Sequence, residues 1–177
     1  MAAPFSLLPL DQRDRSGFAC DSAALNRYFQ TQVSQDIRRR LTACIIAVHP
    51  ASGSIAGFYT LSAADIPLTD LPPEMTPPAF TRPLPRYPTL PAARLGRLAV
   101  DTRFTGQKLG ATLLADAVLR AATSAVAVFA MIVDAKDAHA EAFYRHHGFQ
   151  SYGSAPGKLL APFIKPLPPF DDSLLPR

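Results

Sequence analysis

Apolar positions recur along the chain with two periods. Leu95, Leu98 and Val100 mark a short strand that ends at Asp101. From there the spacing lengthens: Leu109, Leu113, Leu114, Ala117, Val118 and Ala121 fall on one broad face of a helix. Upstream, residues 5–10 (FSLLPL) predict a first strand, with Pro9 marking it as an edge. Cys20-Asp21-Ser22 opens a helix that either Asp21 or Ser22 can cap. Its apolar stripe is Ala24, Leu25, Tyr28, Phe29 and Val33, and it fades into Asp36-Ile37-Arg38-Arg39-Arg40. Two β-prone runs, 41–48 and 54–62, flank the turn residues 50–53 and predict a hairpin, in which Gly57 marks a bulge or a close approach. Residues 125–135 are almost purely apolar, as a strand covered on both faces requires. Asp134 or Asp137 caps the next helix, Phe143 faces the core, and Gly148 ends the helix in the left-handed conformation. Strands at 149–152 and 158–164 complete the pattern.

One stretch breaks the periodicity. Nine of the eighteen prolines lie between residues 66 and 91, a density that excludes a helix or a central strand. The segment reads as a long stiff loop carrying Arg82, Arg86 and Tyr87, either a cleft wall, a partner surface or a plain surface excursion. The predicted order is therefore β-α-β-β-loop-β-α-β-α-β-β, an α/β fold with a mixed sheet. A chain of 177 residues fits a single domain, assigned here to 1–165 with 66–91 inserted and 166–177 as a loosely held tail.

Composition narrows the class. Hydrophobic residues make up 48%, and 18 basic against 14 acidic side chains give a net charge of +4, which permits a polyanionic partner without demanding one. Cys20 and Cys44 have no metal-ligand spacing and suit a reducing compartment. There is no secretory leader pattern, and no apolar run approaches the roughly 20 residues of a membrane span. The expectation is a cytoplasmic protein that uses no metal.

The strand, glycine loop and helix start at 94–122 build an anion site, because loop N–H groups and the positive end of the helix dipole converge there. The spacing is neither that of the P-loop nor that of the dinucleotide fingerprint. Arg103-x-x-Gly106-x-Lys108-x-Gly110 instead resembles the acyl-CoA pyrophosphate loop of the GNAT N-acetyltransferases, Arg/Gln-x-x-Gly-x-Gly/Ala, with Lys108 standing where that family has Gly or Ala. A second motif, Ala142-Phe143-Tyr144-Arg145-x-x-Gly148-Phe149, resembles the one that closes the GNAT core. The resemblance implies a GNAT fold with splayed central strands and acetyl-CoA as the donor. It implies contacts to the coenzyme from Leu98, Ala99 and Val100 and from Arg103, Thr105, Gly106, Gln107, Lys108, Leu109, Gly110 and Ala111.

Acyl transfer from a thioester to an amine needs a neutral nucleophile, a polarised carbonyl and a proton for the departing thiolate. Tyr144 is the candidate general acid, and backbone N–H groups near Leu98–Val100 are the candidate oxyanion donors. No carboxylate stands out as a base: Asp65, Asp101, Asp134 and Glu141 all read as caps or surface charges. An α-amino group, titrating near pH ~8, needs less help than a lysine.

A narrower resemblance spans most of the chain. It runs through Phe18-x-Cys20, Leu25-Asn26-x-Tyr28-Phe29, Gly57–Ser62, Pro85-Arg86-Tyr87-Pro88, Arg94–Asp101 and Asp134–Asp137, and is to the GNAT toxins of toxin–antitoxin modules. It implies acetylation of the α-amino group of aminoacyl-tRNA and a block of translation. The implied partners are a ribbon-helix-helix antitoxin and a second copy in a homodimer. It implies tRNA contacts from basic residues, for which Arg38, Arg39, Arg86, Arg94 and Arg97 are the candidates. Arg38 and Arg39 also read as charge at a helix C-terminus. Arg94 and Arg97 read equally as strand-end arginines paired to a carboxylate, facing opposite sides of an alternating strand. A stand-alone GNAT acting on a small amine or protein amino group, and a non-catalytic acyl-CoA-binding module, are the alternatives.

Overall fold

The computed structural model describes residues 5–75 and 88–163, with Met75 described by its backbone alone. Arg86, the middle of the proline-rich stretch and the tail from 166 lie outside the described residues. The elements are β1 (Ser6–Pro9), α1 (Ala23–Thr31), α2 (Val33–Arg38), β2 (Ala43–Val48), β3 (Ile55–Pro67), β4 (Thr89–Val100), α3 (Leu109–Ala122), β5 (Ala130–Asp134), α4 (Ala138–His146), β6 (Gln150–Ser151) and β7 (Lys158–Pro162). Seven strands form one mixed sheet in the order β1-β2-β3-β4-β5-β7-β6. All neighbours are antiparallel except β4 and β5.

Each sheet face carries its own core. On one side Tyr59, Leu95, Met131 and Val133 pack against Leu109, Leu113, Leu114 and Ala117 of α3 and Tyr144 of α4. On the other, Cys44, Ile46 and Phe58 pack against Tyr28, Phe29 and Val33 of α1 and α2, with Phe29 stacked on Phe58 at 4.1 Å. The predicted cap of α1 is resolved in favour of Ser22, whose hydroxyl accepts from Leu25 N–H. That of α4 is Asp137, which accepts from Ala140 N–H at 2.8 Å. Gly57 serves both of its predicted purposes. It faces the slip in register between Ala47 and Val48, and a Cβ there would lie 2.9 Å from the Ala99 carbonyl oxygen and from Leu113 Cδ1.

Several expectations need correction. The helix from Ser22 is two helices, divided at Gln32, and Ala24 is exposed rather than part of the buried stripe. The apolar run 125–135 is a strand only from Ala130; Val126 is 73% exposed, so its hydrophobicity does not report burial. The proline-rich stretch is shorter than its composition implies. Pro67 and Pro91 are strand residues, Pro91 opposite Asp65, and β3 and β4 stay paired as far as Pro67 and Thr89.

The feature that positions the site is a parting of β4 and β5. They pair only where Ala92–Leu95 lies beside Ala130–Val133. Beyond Leu95, β4 continues to Val100 against β3 alone, while Asp134 pairs with Lys158 of β7. The break coincides with Gly96, which has no partner in β3: Thr60 faces Arg97 and Leu61 faces Leu95. An extra residue of this kind bends a strand away from its neighbour.

Candidate active site

The gap between the parted strands is a cleft of about 270 Å³. One wall is the end of β4, Leu98, Ala99 and Val100. The floor and rim come from Thr102, Thr105 and Gly110, and the far wall from Lys136, His139, Ala140, Phe143 and Tyr144. Asp21 and Leu25 of the α1 segment line it on the other sheet face, so the cleft reaches both faces of the sheet.

Backbone chemistry dominates two sides. The stretch of β4 beyond Leu95 has no neighbour on the β5 side, which leaves peptide groups of the cleft wall available to a ligand. At the rim, the first bond of α3 runs from Thr112 N–H to the Lys108 carbonyl. The N–H groups of Leu109, Gly110 and Ala111 are therefore left over at the positive end of the helix, whose first turn contains no acidic residue. Gly106 (φ +78°) and Lys108 (φ +58°) both adopt the left-handed conformation that turns the loop into the helix. A positive φ at this position favours glycine, which has no Cβ. A lysine there is strained by roughly 1 kcal/mol, yet its backbone makes the turn.

Side chains at the rim divide the work differently from the sequence expectation. The Leu109 side chain is buried in the core beneath α3, so only its amide faces the loop. Arg103 is turned inward, onto Asp101. Arg103 N–H and Nε donate to Asp101 Oδ1 and Nη2 to Oδ2, each at 2.9 Å, and Nη2 also reaches the Gly17 carbonyl. Asp101 is fully buried and accepts a fourth bond from Ala19 N–H, while Thr102 N–H donates back to the Ala19 carbonyl. Burial alone would raise the Asp101 pKa. The Arg103 guanidinium and the two backbone donors outweigh that and hold it below the usual carboxylate range. The pair clasps the lead into α1 to the start of the loop. Thr105, Gly106, Gln107 and Lys108 follow this clasp, and Thr105 Oγ1 donates to the Thr102 carbonyl.

Tyr144 lies in the last turns of α4. Its ring is flanked by Phe143 and Phe149, with centroids at 5.3 and 5.5 Å. Gly148 (φ +89°) reverses the chain so that Phe149 N–H bonds the Tyr144 carbonyl. Burial pushes the phenol up to about 12, so it stays protonated at neutral pH. Among the described residues nothing hydrogen-bonds its hydroxyl, which is open to the cleft. Asp21 is the one carboxylate among the described lining residues. Asp134 pairs with Arg94 and Glu141 with Arg145, so neither is placed as a base.

The basic candidates separate. Arg38 and Arg39 are exposed at the end of α2. Arg94 and Arg97 share a face, contrary to the alternation expected of them. Their β3 partners, Ser62 and Thr60, are two residues apart on a continuous strand, and the Gly96 bulge absorbs the difference. Arg94 is neutralised by Asp134; Arg97 lies over the Tyr28 ring at 3.5 Å with no carboxylate in ion-pair range among the described residues.

Sequence reasoning missed Lys136 and His139 as cleft residues. His139 and Phe143 are four apart on α4 and so share its face, a signal that was present once Phe143-Tyr144 had been placed. A larger hollow of about 450 Å³, lined by Asp11–Ser16, Gln30 and Ser34, holds groups bonded to one another: Arg13 to Asp11, Ser16 to Asp14, and Arg15 to Ser34. No helix among the described residues is long and apolar enough to cross a membrane.

Comparison with known proteins agrees with this geometry. Residues 89–158 match the family model of the acetyltransferase (GNAT) domain. The chain is 25% identical over 172 residues to the probable toxin TacT of Sinorhizobium fredii, covering 91% of this chain and 92% of that protein. It is 28% identical over 142 residues to a tRNA-acetylating toxin of Mycobacterium tuberculosis, covering 79% and 80% respectively. Among solved structures, AtaT complexed with acetyl-methionyl-tRNAfMet superposes with a TM-score of 0.78 at 27% identity, over 89% of this chain and 94% of that one. AtaTR bound with AcCoA superposes at 0.76 with 27% identity, over 90% and 94%. The parted strands, the left-over amides at the start of α3 and the phenol without a partner among the described residues fit an acyl-CoA thioester, and with the match of residues 89–158 to the acetyltransferase (GNAT) domain they mark an acetyl-CoA-dependent N-acetyltransferase.

Proposed function

We propose that the protein acetylates the α-amino group of aminoacyl-tRNA and so blocks translation. The observation that carries this reading is a cleft lined from both faces of the sheet, with an anion-binding loop on one face and on the other Arg97, which has no carboxylate in ion-pair range among the described residues. Acetyl-CoA supplies an activated acetyl group as its thioester. The amides of residues 106–111 hold the pyrophosphate, and N–H groups on the open edge of Leu98–Val100 orient and polarise the carbonyl. Tyr144 holds its proton at Oη, facing the cleft, where it is available to a departing sulfur. The phenyl rings of Phe143 and Phe149 fix its position. Arg103 acts through Asp101, setting the loop rather than touching phosphate.

With Asp134 and Glu141 held in ion pairs, the reaction runs most simply on an acceptor that supplies its own neutral amine. An α-amino group near pH ~8 does so and a lysine near ~10.4 does not. The acceptor approaches from the α1 face, where Arg38, Arg39 and Arg97 offer charge to phosphates. In this reading residues 1–165 form the one catalytic domain. The protein works in the cytoplasm as a homodimer, held inactive by a ribbon-helix-helix antitoxin. AtaT, to which the fold is similar, has been seen with the C-terminus of its antitoxin AtaR.

The test is incubation with radiolabelled acetyl-CoA and total tRNA, charged and uncharged. Label on charged tRNA alone, released when the aminoacyl ester is hydrolysed, is the expected result. Label on neither, with acetyl-CoA bound, would redirect the acceptor to a small amine or protein terminus.

A further inference from the structure

We infer that Tyr28 is a positioning residue for the acceptor: it holds the Arg97 guanidinium flat and uncommitted at the α1-side mouth of the cleft, so that Arg97 clamps a phosphodiester of the acceptor strand. This rests on the tRNA reading and assigns a role that reading leaves open.

Arg97 immediately precedes Leu98, the first residue of the cleft wall, and points to the face on which α1 lies. Its guanidinium carbon is 3.5 Å from the centre of the Tyr28 ring, a stacked contact. Stacking spends the face of the guanidinium and leaves the N–H fork in its plane free. Phosphate is recognised through that fork. Tyr28 is itself fixed from both ends. Its ring is buried, and its hydroxyl donates to Asp36 Oδ2 in α2 at 3.0 Å. Asp36 is thereby occupied by the phenol, and no ion pair joins it to Arg97 among the described residues. Arg94 supplies the contrast. One β-step away on the same face, it is committed to Asp134, so its charge is already neutralised. Of two arginines that the sequence presents as equals, the fold keeps one available and fixes its plane.

The experiment measures steady-state acetylation of charged tRNA at saturating acetyl-CoA by the full chain, varying tRNA and salt. Arg97→Gln should raise KM for charged tRNA about five- to tenfold and lower the slope of log affinity against log salt by about one. Tyr28→Leu, which leaves the charge but removes the stack, should raise KM by about three- to fivefold. Tyr28→Phe, which keeps the stack but releases Asp36, should raise KM by less than Tyr28→Leu does. In all three, kcat and KM for acetyl-CoA should hold. Arg97→Lys tests the same point should Tyr28→Leu not fold: a lysine keeps the charge without the planar fork, and should behave nearly as badly as Gln. Full activity of Arg97→Lys, or an unchanged tRNA KM in a folded Tyr28→Leu, overturns the role of Tyr28. An unchanged tRNA KM in Arg97→Gln overturns the clamp. If wild type transfers nothing to charged tRNA, the functional reading has failed and the clamp with it.

Discussion

Replacing Asp101 with Asn probes the clasp that sets the coenzyme loop. The carboxylate is 1% exposed and accepts four hydrogen bonds: Arg103 N–H and Nε at Oδ1, and Arg103 Nη2 and Ala19 N–H at Oδ2. An amide retains one acceptor oxygen. Its NH₂ would face two donors, so two bonds are lost and the other two lose their charge. Hydrogen bonds to a charged group contribute about 1.5–3 kcal/mol each, but the Arg103 side chain is 53% exposed and its share is screened. The neutral amide also escapes the cost of burying a charge. The net expectation is a loss of about 2 kcal/mol, equivalent to a fall in Tm of about 4–8 °C for a domain of this size. The pH dependence follows from the sign of the shift. The folded pKa of Asp101 is depressed, so its stabilisation is present above the ordinary carboxylate pKa and disappears as pH falls through the folded value. Urea unfolding of wild type and Asp101→Asn should therefore differ at pH 7 and converge in acid. In turnover, KM for acetyl-CoA should rise while kcat holds, because the loop shifts but Tyr144 does not. Arg103→Gln should reproduce most of the effect, and the double variant should be well short of additive. A stability difference that persists unchanged to the lowest pH, or full additivity, would refute the clasp.

Tyr144→Phe should cut kcat by about 10²–10³ with acetyl-CoA binding intact, read by turnover alongside calorimetry. Because burial holds the Tyr144 phenol up to about 12, the wild-type rate should climb as the amine loses its proton and show no descending limb from Tyr144 below pH ~10. Gly57→Ala should cost about 1–3 kcal/mol in urea unfolding, since its Cβ would sit 2.9 Å from both the Ala99 carbonyl and Leu113 Cδ1; the displaced β4 should lower activity as well. Lys108→Gly should raise stability by up to about 1 kcal/mol by relieving a left-handed non-glycine residue, with KM for acetyl-CoA unchanged if the backbone alone serves the site.

The order of elements was legible because each carries its period and its punctuation. Ser22, Asp137 and Gly148 cap or end helices where side-chain chemistry says they should. What misled was composition read without partners. The run from 125 to 129 is apolar yet precedes the strand. Pro67 and Pro91 were read as loop residues, although the β3–β4 pairing accommodates both. The anion site was legible as a loop, but the destination of the Arg103 guanidinium was not. Its partner is only two residues away in the chain, a spacing that reads as a local cap until Asp101 is known to be fully buried.

The Gly96 bulge shows why residue-level function lies beyond pattern. In an unbroken strand Arg94 and Arg97 would face opposite sides, and the same regular strand would keep pairing with β5. One glycine without a partner changes both outcomes. It coincides with the parting of β4 from β5 that opens the cleft, and it returns Arg97 to the face of Arg94, onto Tyr28. Filling Gly96 is correspondingly hazardous: a Cβ there would approach the buried Thr60 hydroxyl to 3.2 Å. The cleft and the stacked guanidinium of Arg97 thus meet at a single irregularity in β4. Neither hydropathy nor motif spacing encodes that link, because it exists only once β3 has fixed the register.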